Sequence, residues 1–141
     1  MAEFPPAEYV KDLLAAHVAI SLWQIEVGAM PDSPNKIIMI TDTVGIESNP
    51  KYLLDFPTVQ VLVRGNTSGY LDTYREAKAV KDIILGVTPF TTGDGDRIVS
   101  ITQNGDIGFI GRDENMRPLW TGNYALIIEP QVPATSNRIA L

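Results

Sequence analysis

Residues 111–130 read GRDENMRPLWTGNYALIIEP, and the fold is predicted from the second half of this segment outward. From about Pro118 to Ile128, large apolar side chains alternate with small or polar ones, which predicts a long strand with one face in the core. The predicted core face carries Trp120, Tyr124, Leu126 and Ile128, and the opposite face carries Thr121, Asn123 and Ala125. The first half is a dense run of charge that contains Arg112, Asp113, Glu114 and Arg117. The chain therefore places a charged corner, residues 112–117, directly before one of its best strands.

Two helices are predicted upstream of this strand. Apolar residues at helical spacing predict the first in PPAEYVKDLLAAHVAI (residues 5–20), with His17 and Val18 on its buried stripe. The same pattern predicts the second in YLDTYREAKAVKDIILG (residues 70–86), with Gly86 ending the helix.

The remaining segments have strand character. A short strand is expected in LWQIEV (residues 22–27), followed by a turn and a buried strand at residues 37–40. Alternating valines predict a strand in TVQVLVRG, after a connection rich in helix and strand breakers at residues 48–57. Two more strands are expected around residues 98–102 and 107–110, joined by a turn at Asn104 and Gly105.

This order of elements predicts an α+β fold, with a twisted antiparallel or mixed sheet and both helices packed on one face. The chain has 141 residues, which suits one domain. We place that domain at residues 1–130. The polar, proline-containing segment at residues 131–141 is expected to be flexible until a partner binds it.

The overall composition argues against several classes of protein. The net charge is −6 and the 11 lysines and arginines are scattered, whereas a dedicated nucleic-acid binder clusters its basic residues. An acidic protein can still border a path for DNA, because like charges repel. No secretory signal is visible and no apolar run approaches the ~20 residues that span a bilayer, so we expect a soluble protein with no membrane partner.

Side chains suited to catalysis or metal binding are few. There is no cysteine, and the single histidine, His17, is interpreted as a packing residue of the first helix. The segment TTGDGDRI (residues 91–98) lacks the closing glutamate of a calcium loop and is interpreted as a hairpin loop. We therefore predict no catalytic residue, no cofactor and no metal, and a protein that is not an enzyme.

The charged corner before the last strand has three interpretations. A catalytic carboxylate pair of Asp113 and Glu114 is the least favoured, because adjacent residues in a turn point apart. A solvated turn is a second interpretation. In the third, opposite charges on a rigid corner fix the register between copies of a subunit. Composition leaves the last two open.

Four segments, in order along the chain, carry a family resemblance. They are MPDSPNKIIMITDTVG (residues 30–45), FPTVQVLVRG (56–65), GYLDTYREAKAVKDIILG (69–86) and FIGRDENMRPLWTGNYALI (109–127). Their order and spacing, over about residues 8–129, resemble the small minor capsid proteins of the bacteriophage tail-terminator type. Val44 and Met116 stand where that family often has glycine.

The resemblance implies a structural virion protein that forms a hexameric ring at the head-proximal end of the tail. Such a ring ends the polymerisation of the tail tube and joins the tail to the head connector. The implied partners are further copies of the chain, the tail tube protein and the connector or head-completion protein, while DNA passes through without specific binding. On this basis, five residues are predicted to contribute to contacts between subunits or rings: Arg64, Arg112, Asp113, Glu114 and Arg117.

Two alternatives remain open. One is another phage component, either a head-completion protein or a tail-tube protein. The other is a small ligand-binding domain or enzyme that uses the face of Trp120 and Tyr124 as a pocket wall, although these aromatic residues more simply complete the core.

Overall fold

The computed structural model of the chain describes residues 4–17, 20, 22–49, 54–93 and 95–130. Its elements are α1 (Pro6–Ala15), β1 (Gln24–Val27), β2 (Ile37–Asn49), β3 (Leu54–Arg64), α2 (Tyr70–Leu85), β4 (Phe90–Thr91), β5 (Arg97–Arg112) and β6 (Pro118–Glu129). The strands form one sheet in the order β1-β2-β3-β6-β5-β4, in which β1 and β2 are parallel and every other pair is antiparallel. The tail predicted at residues 131–141 lies outside the described residues, and the domain boundary at residue 130 stays a prediction.

Both helices pack on the same face of this mixed sheet, so the predicted α+β fold is confirmed. Ile38, Val63 and Trp120 lie opposite one another in the strand register and are buried beneath the helices. The helices contribute Ala7, Val10 and Leu14 from α1 and Ala77, Val80 and Ile84 from α2. The alternation predicted for β6 is also confirmed, because Tyr124, Leu126 and Ile128 complete this core.

The first helix is shorter than its apolar pattern predicts. It starts with Pro6, and the Asp42 carboxylate of β2 accepts a 3.0 Å hydrogen bond from the Ala7 N–H. It ends at Ala15, where the chain turns and the His17 N–H donates to the Leu14 carbonyl. His17 is therefore exposed, and its predicted place on the buried stripe is wrong; Val18 lies outside the described residues.

Two segments predicted as connections belong to strands. Pro57 lies inside β3 at a shift in the β2–β3 register, where its missing N–H interrupts no regular ladder. Asn104 and Gly105 lie inside β5, where the register against β6 shifts and Gly105 has a φ of +72°. The turn signal at this position thus marks a β-bulge within one long strand.

The second helix occupies the predicted residues and begins directly after a close approach to β3. A Cβ on Gly65 would overlap the hydroxyl of Thr73, which is buried and donates to the Gly69 carbonyl at 2.6 Å. Glycine at position 65 therefore lets α2 start against the end of β3. None of the described helices has the length and apolar character needed to cross a membrane.

Candidate assembly surface

Three connections meet at one end of the sheet: residues 31–35 before β2, residues 66–68 between β3 and α2, and residues 113–116 between β5 and β6. We call these three segments the loop platform. Each carries polar or turn-forming residues, which explains why the chain leaves regular structure there. Three arginines tie them together.

Arg64 anchors the first of these segments by its backbone. As the last residue of β3 it lies on the sheet face opposite the helices, where residues 31–35 cover it and leave it buried. Its guanidinium donates to four carbonyl oxygens, those of Pro31 at 2.7 Å, Pro34 at 2.8 Å, Asn35 at 3.1 Å and Asp32 at 3.3 Å. Burial, together with the nearby positive charge of Arg117, lowers the pKa of Arg64.

Arg117 links the same segment to the charged corner. Its guanidinium lies 2.8 Å from a carboxylate oxygen of Asp32 and 2.8 Å from one of Asp113, and it donates to the Asp32 carbonyl at 2.6 Å and to the Asn35 side chain at 3.2 Å. Burial alone would lower the pKa of Arg117, but the hydrogen bonds to the two carboxylates outweigh it and raise that pKa. Charge-assisted bonds of this kind are the strong ones in proteins.

The charged corner is a tight hairpin turn. The Met116 N–H donates to the Asp113 carbonyl at 2.9 Å, and the Asp113 N–H donates to the Arg117 carbonyl at 3.0 Å. Met116 has a φ of +64°, a left-handed position that such turns usually give to glycine. Burial on its own would raise the pKa of Asp113, but hydrogen bonds from the backbone and guanidinium of Arg117 outweigh it and hold that pKa below its usual range.

Arg112 connects the corner to the remaining segment. Its Nη1 donates to the Thr67 carbonyl at 2.7 Å and to the Met116 carbonyl at 2.6 Å. A longer bond of 3.4 Å joins the Thr67 hydroxyl to the Asn115 carbonyl. The three segments of the loop platform are therefore held in one arrangement by bonds made within the subunit.

The structure thus brings the five predicted contact residues to one end of the molecule. Arg64 and Arg117 are buried and bonded inside the subunit, so any effect they have on assembly passes through the shape of the loop platform. Arg112 and Glu114 are exposed and Asp113 is partly exposed. A role of all five in subunit or ring contacts stays a prediction.

Sequence reasoning missed the partners of these arginines. Asp32 and Asn35 are separated from Arg117 by more than 80 positions, and in the sequence they belong only to the turn predicted before the buried strand at residues 37–40. Arg64 and Arg117 could be singled out in the sequence as charged residues beside predicted strands. The segment that accepts their hydrogen bonds could not be identified from the sequence.

The opposite end of the sheet is built differently. There β2 and β3 extend beyond the helices as an arm, formed by residues 43–49 and 54–57. The side chains of Val44 and Ile46 on this arm are 97% and 72% exposed. An apolar groove of about 380 Å³ lies at its base, lined in part by Phe4, Tyr9, Ile46, Phe56, Pro57 and Ile128.

Both edges of the sheet are only partly covered. β1 pairs with residues 37–40 of β2 alone, and β4 pairs only with Arg97 and Ile98 of β5. Within the described ranges, no strand pairs with the outer edge of β2 beyond residue 40 or of β5 beyond residue 98. A second groove, of about 260 Å³, lies beside β1 and is lined by Ala15, His17, Ile20, Trp23 and Ile25.

No arrangement suited to metal binding or catalysis stands out among the residues that the structure describes. They contain no group of three or more histidine, aspartate or glutamate side chains placed to hold a metal ion. Trp120 and Tyr124 are core residues, and Trp120 packs against the rings of Tyr70, Tyr74 and Phe109 at centroid distances of 5.1 to 5.6 Å. Both side chains therefore serve the core, as the simpler interpretation of the sequence predicts.

Comparisons with known proteins identify a matching family and a solved structure of the same fold. The family described as "Bacteriophage tail terminator protein" matches residues 11–130. A chain in the structure titled "Virion of native gene transfer agent (GTA) particle" has the same fold, with a TM-score of 0.65 and 16% sequence identity over 85% of this chain and 91% of that one. No curated protein sequence is significantly similar to this chain.

Proposed function

The chain belongs to the bacteriophage tail terminator family and is a structural component of the virion; we propose that it forms a hexameric ring at the head-proximal end of the tail. The ring ends the polymerisation of the tail tube and joins the tail to the head connector. The family match over residues 11–130 is the observation that carries this proposal, because it covers the second half of α1, all of α2, all the strands and the whole loop platform.

The build of the subunit supports a role in assembly over a role in catalysis. The loop platform presents a fixed polar surface at one end of the strands. The arm and the two sheet edges present apolar side chains and strand edges that no other described strand pairs with, at the other end and the sides. A protein that binds one kind of ring on one side and another kind on the other needs such separate surfaces. The structural role therefore replaces an enzymatic one in this proposal.

DNA has to pass through such a ring without being retained. The net charge of −6 suits that requirement, because an acidic channel repels the phosphate backbone. The partners proposed here are accordingly other copies of the chain, the tail tube protein and a connector or head-completion protein.

A tube-elongation experiment tests the proposal. Purified tail tubes are incubated with this protein, free tube subunits are added, and tube lengths are measured by electron microscopy. We expect tubes that carry the protein to stop growing and to show one extra ring at one end. Light scattering on the protein alone is expected to give six-subunit particles.

The exposed carboxylate of the loop platform offers a variant with a matched control. Glu114→Arg is expected to weaken the arrest of tube growth, whereas Asp82→Arg on the solvent-exposed side of α2 is expected to leave it unchanged. Polymerisation of this chain itself into tubes would favour the tail-tube alternative. Tubes that elongate normally in its presence would contradict the proposal.

A further inference from the structure

We propose that neighbouring copies of this chain join edge to edge, with residues 108–111 of β5 in one copy lying antiparallel beside β1 of the next copy. This inference rests on the ring proposed above and names the surfaces that close it. The partner is a second copy of the same chain, in the same orientation as the first.

The two edges of the sheet have complementary steps. At the end near the loop platform, β1 protrudes on one side, while on the other side no described strand covers the outer edge of β5. At the arm end the order is reversed, because β4 protrudes beside residues 97–98 while no described strand covers the outer edge of β2. When a second copy lies beside the first in the same orientation, β4 of one copy lies beside the uncovered part of β2 in its neighbour. β1 of that neighbour then lies beside the uncovered part of β5 in the first copy.

The strand register places the two facing segments at the same height. Ile25, Ile38, Val63, Trp120 and Phe109 lie opposite one another, in a single row that runs across the sheet from β1 to β5. In a neighbour displaced along these rows, Phe109 arrives beside Ile25.

Strand direction also fits. β5 runs antiparallel to β6, which runs in the same direction as β2 and β1. A neighbour in the same orientation therefore offers β5 antiparallel to β1. Antiparallel pairs form well-aligned hydrogen bonds, and an uncovered edge strand is a ready template for such pairing.

Side chains on the two edges complement each other. Phe109 is 41% exposed at the β5 edge, and its row position lies level with the apolar groove beside β1. Docking of β5 against β1 brings this ring to the groove wall formed by Ile20, Trp23 and Ile25. Apolar area on both edges is then removed from water, which is the main driving force of association.

The two edges differ in charge. The elements on the β1 side, α1, β1 and β2, carry five acidic residues, Glu8, Asp12, Glu26, Asp42 and Glu47, against the single lysine Lys11. The elements on the other side, α2, β4 and β5, carry five basic residues, Arg75, Lys78, Lys81, Arg97 and Arg112, and four acidic ones, Asp72, Glu76, Asp82 and Asp106. Two β1 edges would therefore repel each other, whereas the β1 edge meets a nearly balanced β5 edge without that repulsion. Contact between unlike edges generates a head-to-tail ring.

A cysteine pair tests the contact, because the chain has no cysteine of its own. Glu26 and Gly108 lie in one row on the open face of the sheet, and a Cβ at Gly108 meets no other atom within 4 Å. Directly opposite residues of an antiparallel pair have Cβ atoms about 4.5–5.5 Å apart, within reach of a short thiol cross-linker. The double variant Glu26→Cys with Gly108→Cys should give a covalent ladder that stops at the size of the closed ring.

The single variants make the test directional. Each one alone should remain uncross-linked, and an equimolar mixture of the two should give covalent dimers only, because residue 26 faces residue 108 and never another residue 26. The control pair is Glu26→Cys with Asn123→Cys, which places the second thiol in the middle of the open sheet face and should not cross-link.

A second variant measures the side-chain contact. Phe109→Ala should weaken self-association at least tenfold, measured by light scattering over a dilution series. Leu85→Ala is the matched control, because Leu85 has a similar exposure of 40% but lies at the other end of α2 from Tyr70, whose ring contacts Phe109. It should leave self-association unchanged.

The outcomes separate this inference from the proposed function. Rings that form without the 26–108 cross-link would overturn the inference and leave the terminator function standing. Cross-linked rings that fail to stop tube growth would support the inference and overturn the function. A chain that forms no oligomer, either in solution or on tube ends, would overturn both.

Discussion

The loop platform and the arm lie at opposite ends of the same sheet and differ in how far their bonding groups and apolar side chains are satisfied within one subunit. The three segments of the loop platform are held by Arg64, Arg112 and Arg117, whose guanidinium groups bond within the subunit, and Arg64 and Arg117 are buried. The arm exposes Val44 and Ile46 and leaves one edge of β2 without a partner strand in the part of the chain described. The first surface is complete in a single subunit, whereas the second is complete only when something covers it.

This difference predicts that the two ends respond to substitution in different ways. Substitutions that break the arginine bonds of the loop platform should lower the stability of the single subunit, because the subunit has already made those bonds. Changes on the arm should leave that stability almost intact and act on assembly. The four predictions below test this contrast.

The largest effect is expected at Arg64. Arg64→Met keeps an apolar stem but removes every hydrogen bond from the guanidinium to residues 31–35. A hydrogen bond to a charged group typically contributes about 1.5–3 kcal/mol, and because several are lost we expect the free energy of unfolding, measured by urea denaturation, to fall by about 3 kcal/mol or more. Arg75→Met, at an exposed position of α2, is the control and should cost less than about 0.5 kcal/mol. Equal losses in the two variants would remove the contrast between the ends.

A second prediction concerns a buried charge on α2, the helix that begins at the loop platform. Burial, reinforced by the nearby negative charge of Asp72, raises the pKa of Glu76 from 4.5 to about 7, and its Oε1 has no hydrogen-bond partner among the described residues. Because the folded state binds this proton more tightly than the unfolded chain, stability should fall as the pH rises from about 4.5 to about 7 and stay low above that.

Glu76→Gln should therefore stabilise the protein by roughly 1–3 kcal/mol at pH 8 and have little effect at pH 4.5. Denaturation curves of both proteins at the two pH values measure this. A gain of the same size at both pH values would mean that the charge of Glu76 is not the cause.

Met116 offers a smaller change in the opposite direction. Its φ of +64° is costly for any residue with a Cβ, and glycine adopts it freely. Met116→Gly should stabilise the subunit by about 1 kcal/mol in thermal or urea denaturation. Met116→Ala keeps the Cβ and so should give no such gain. If alanine stabilises as much as glycine does, the benefit comes from removing the exposed methionine side chain.

The smallest effect on stability is expected on the arm. Val44→Thr combined with Ile46→Thr keeps the branched shape that suits strands and should change the free energy of unfolding by less than about 0.5 kcal/mol. The same pair should reduce self-association or tube capping. Val61→Thr, in the buried part of β3, is the contrasting control and should cost about 1–3 kcal/mol because it buries a hydroxyl group. Loss of subunit stability in the arm variant would show that the arm is already packed.

The periodicity of apolar residues correctly predicted the helices and strands that bury one regular face. The alternation around Trp120, the valines of β3 and the apolar stripe of α2 all matched the structure, because each follows from burial on one face. His17 and Asn104 misled for the same physical reason, since local signals cannot report how the chain continues. The first helix ends before His17. At Asn104 and Gly105 the chain continues to pair with β6 on both sides, so the turn signal gives a bulge within β5.

The site was only half visible in the sequence. Its arginines could be singled out as charged residues beside strands, but their partners are the carbonyl groups and side chains of a distant loop. Backbone carbonyl groups are present at every position, so no sequence pattern marks the ones that Arg64 binds. The open edges of the sheet depend on the lengths of β1 and β4, which are too short for periodicity to define.

The hydrogen bonds from Arg64 to residues 31–35 also determine which substitutions the surface of the loop platform can accept. The guanidinium recognises carbonyl oxygens at positions 31, 32, 34 and 35, and therefore reads the path of the loop and not the identity of its side chains. Mutations at Pro31, Ser33 or Pro34 that preserve this path leave the arginine's bonds intact. The side chains on the outer surface of the loop can therefore change to suit a different binding partner, while the hydrogen bonds of Arg64 beneath them stay the same.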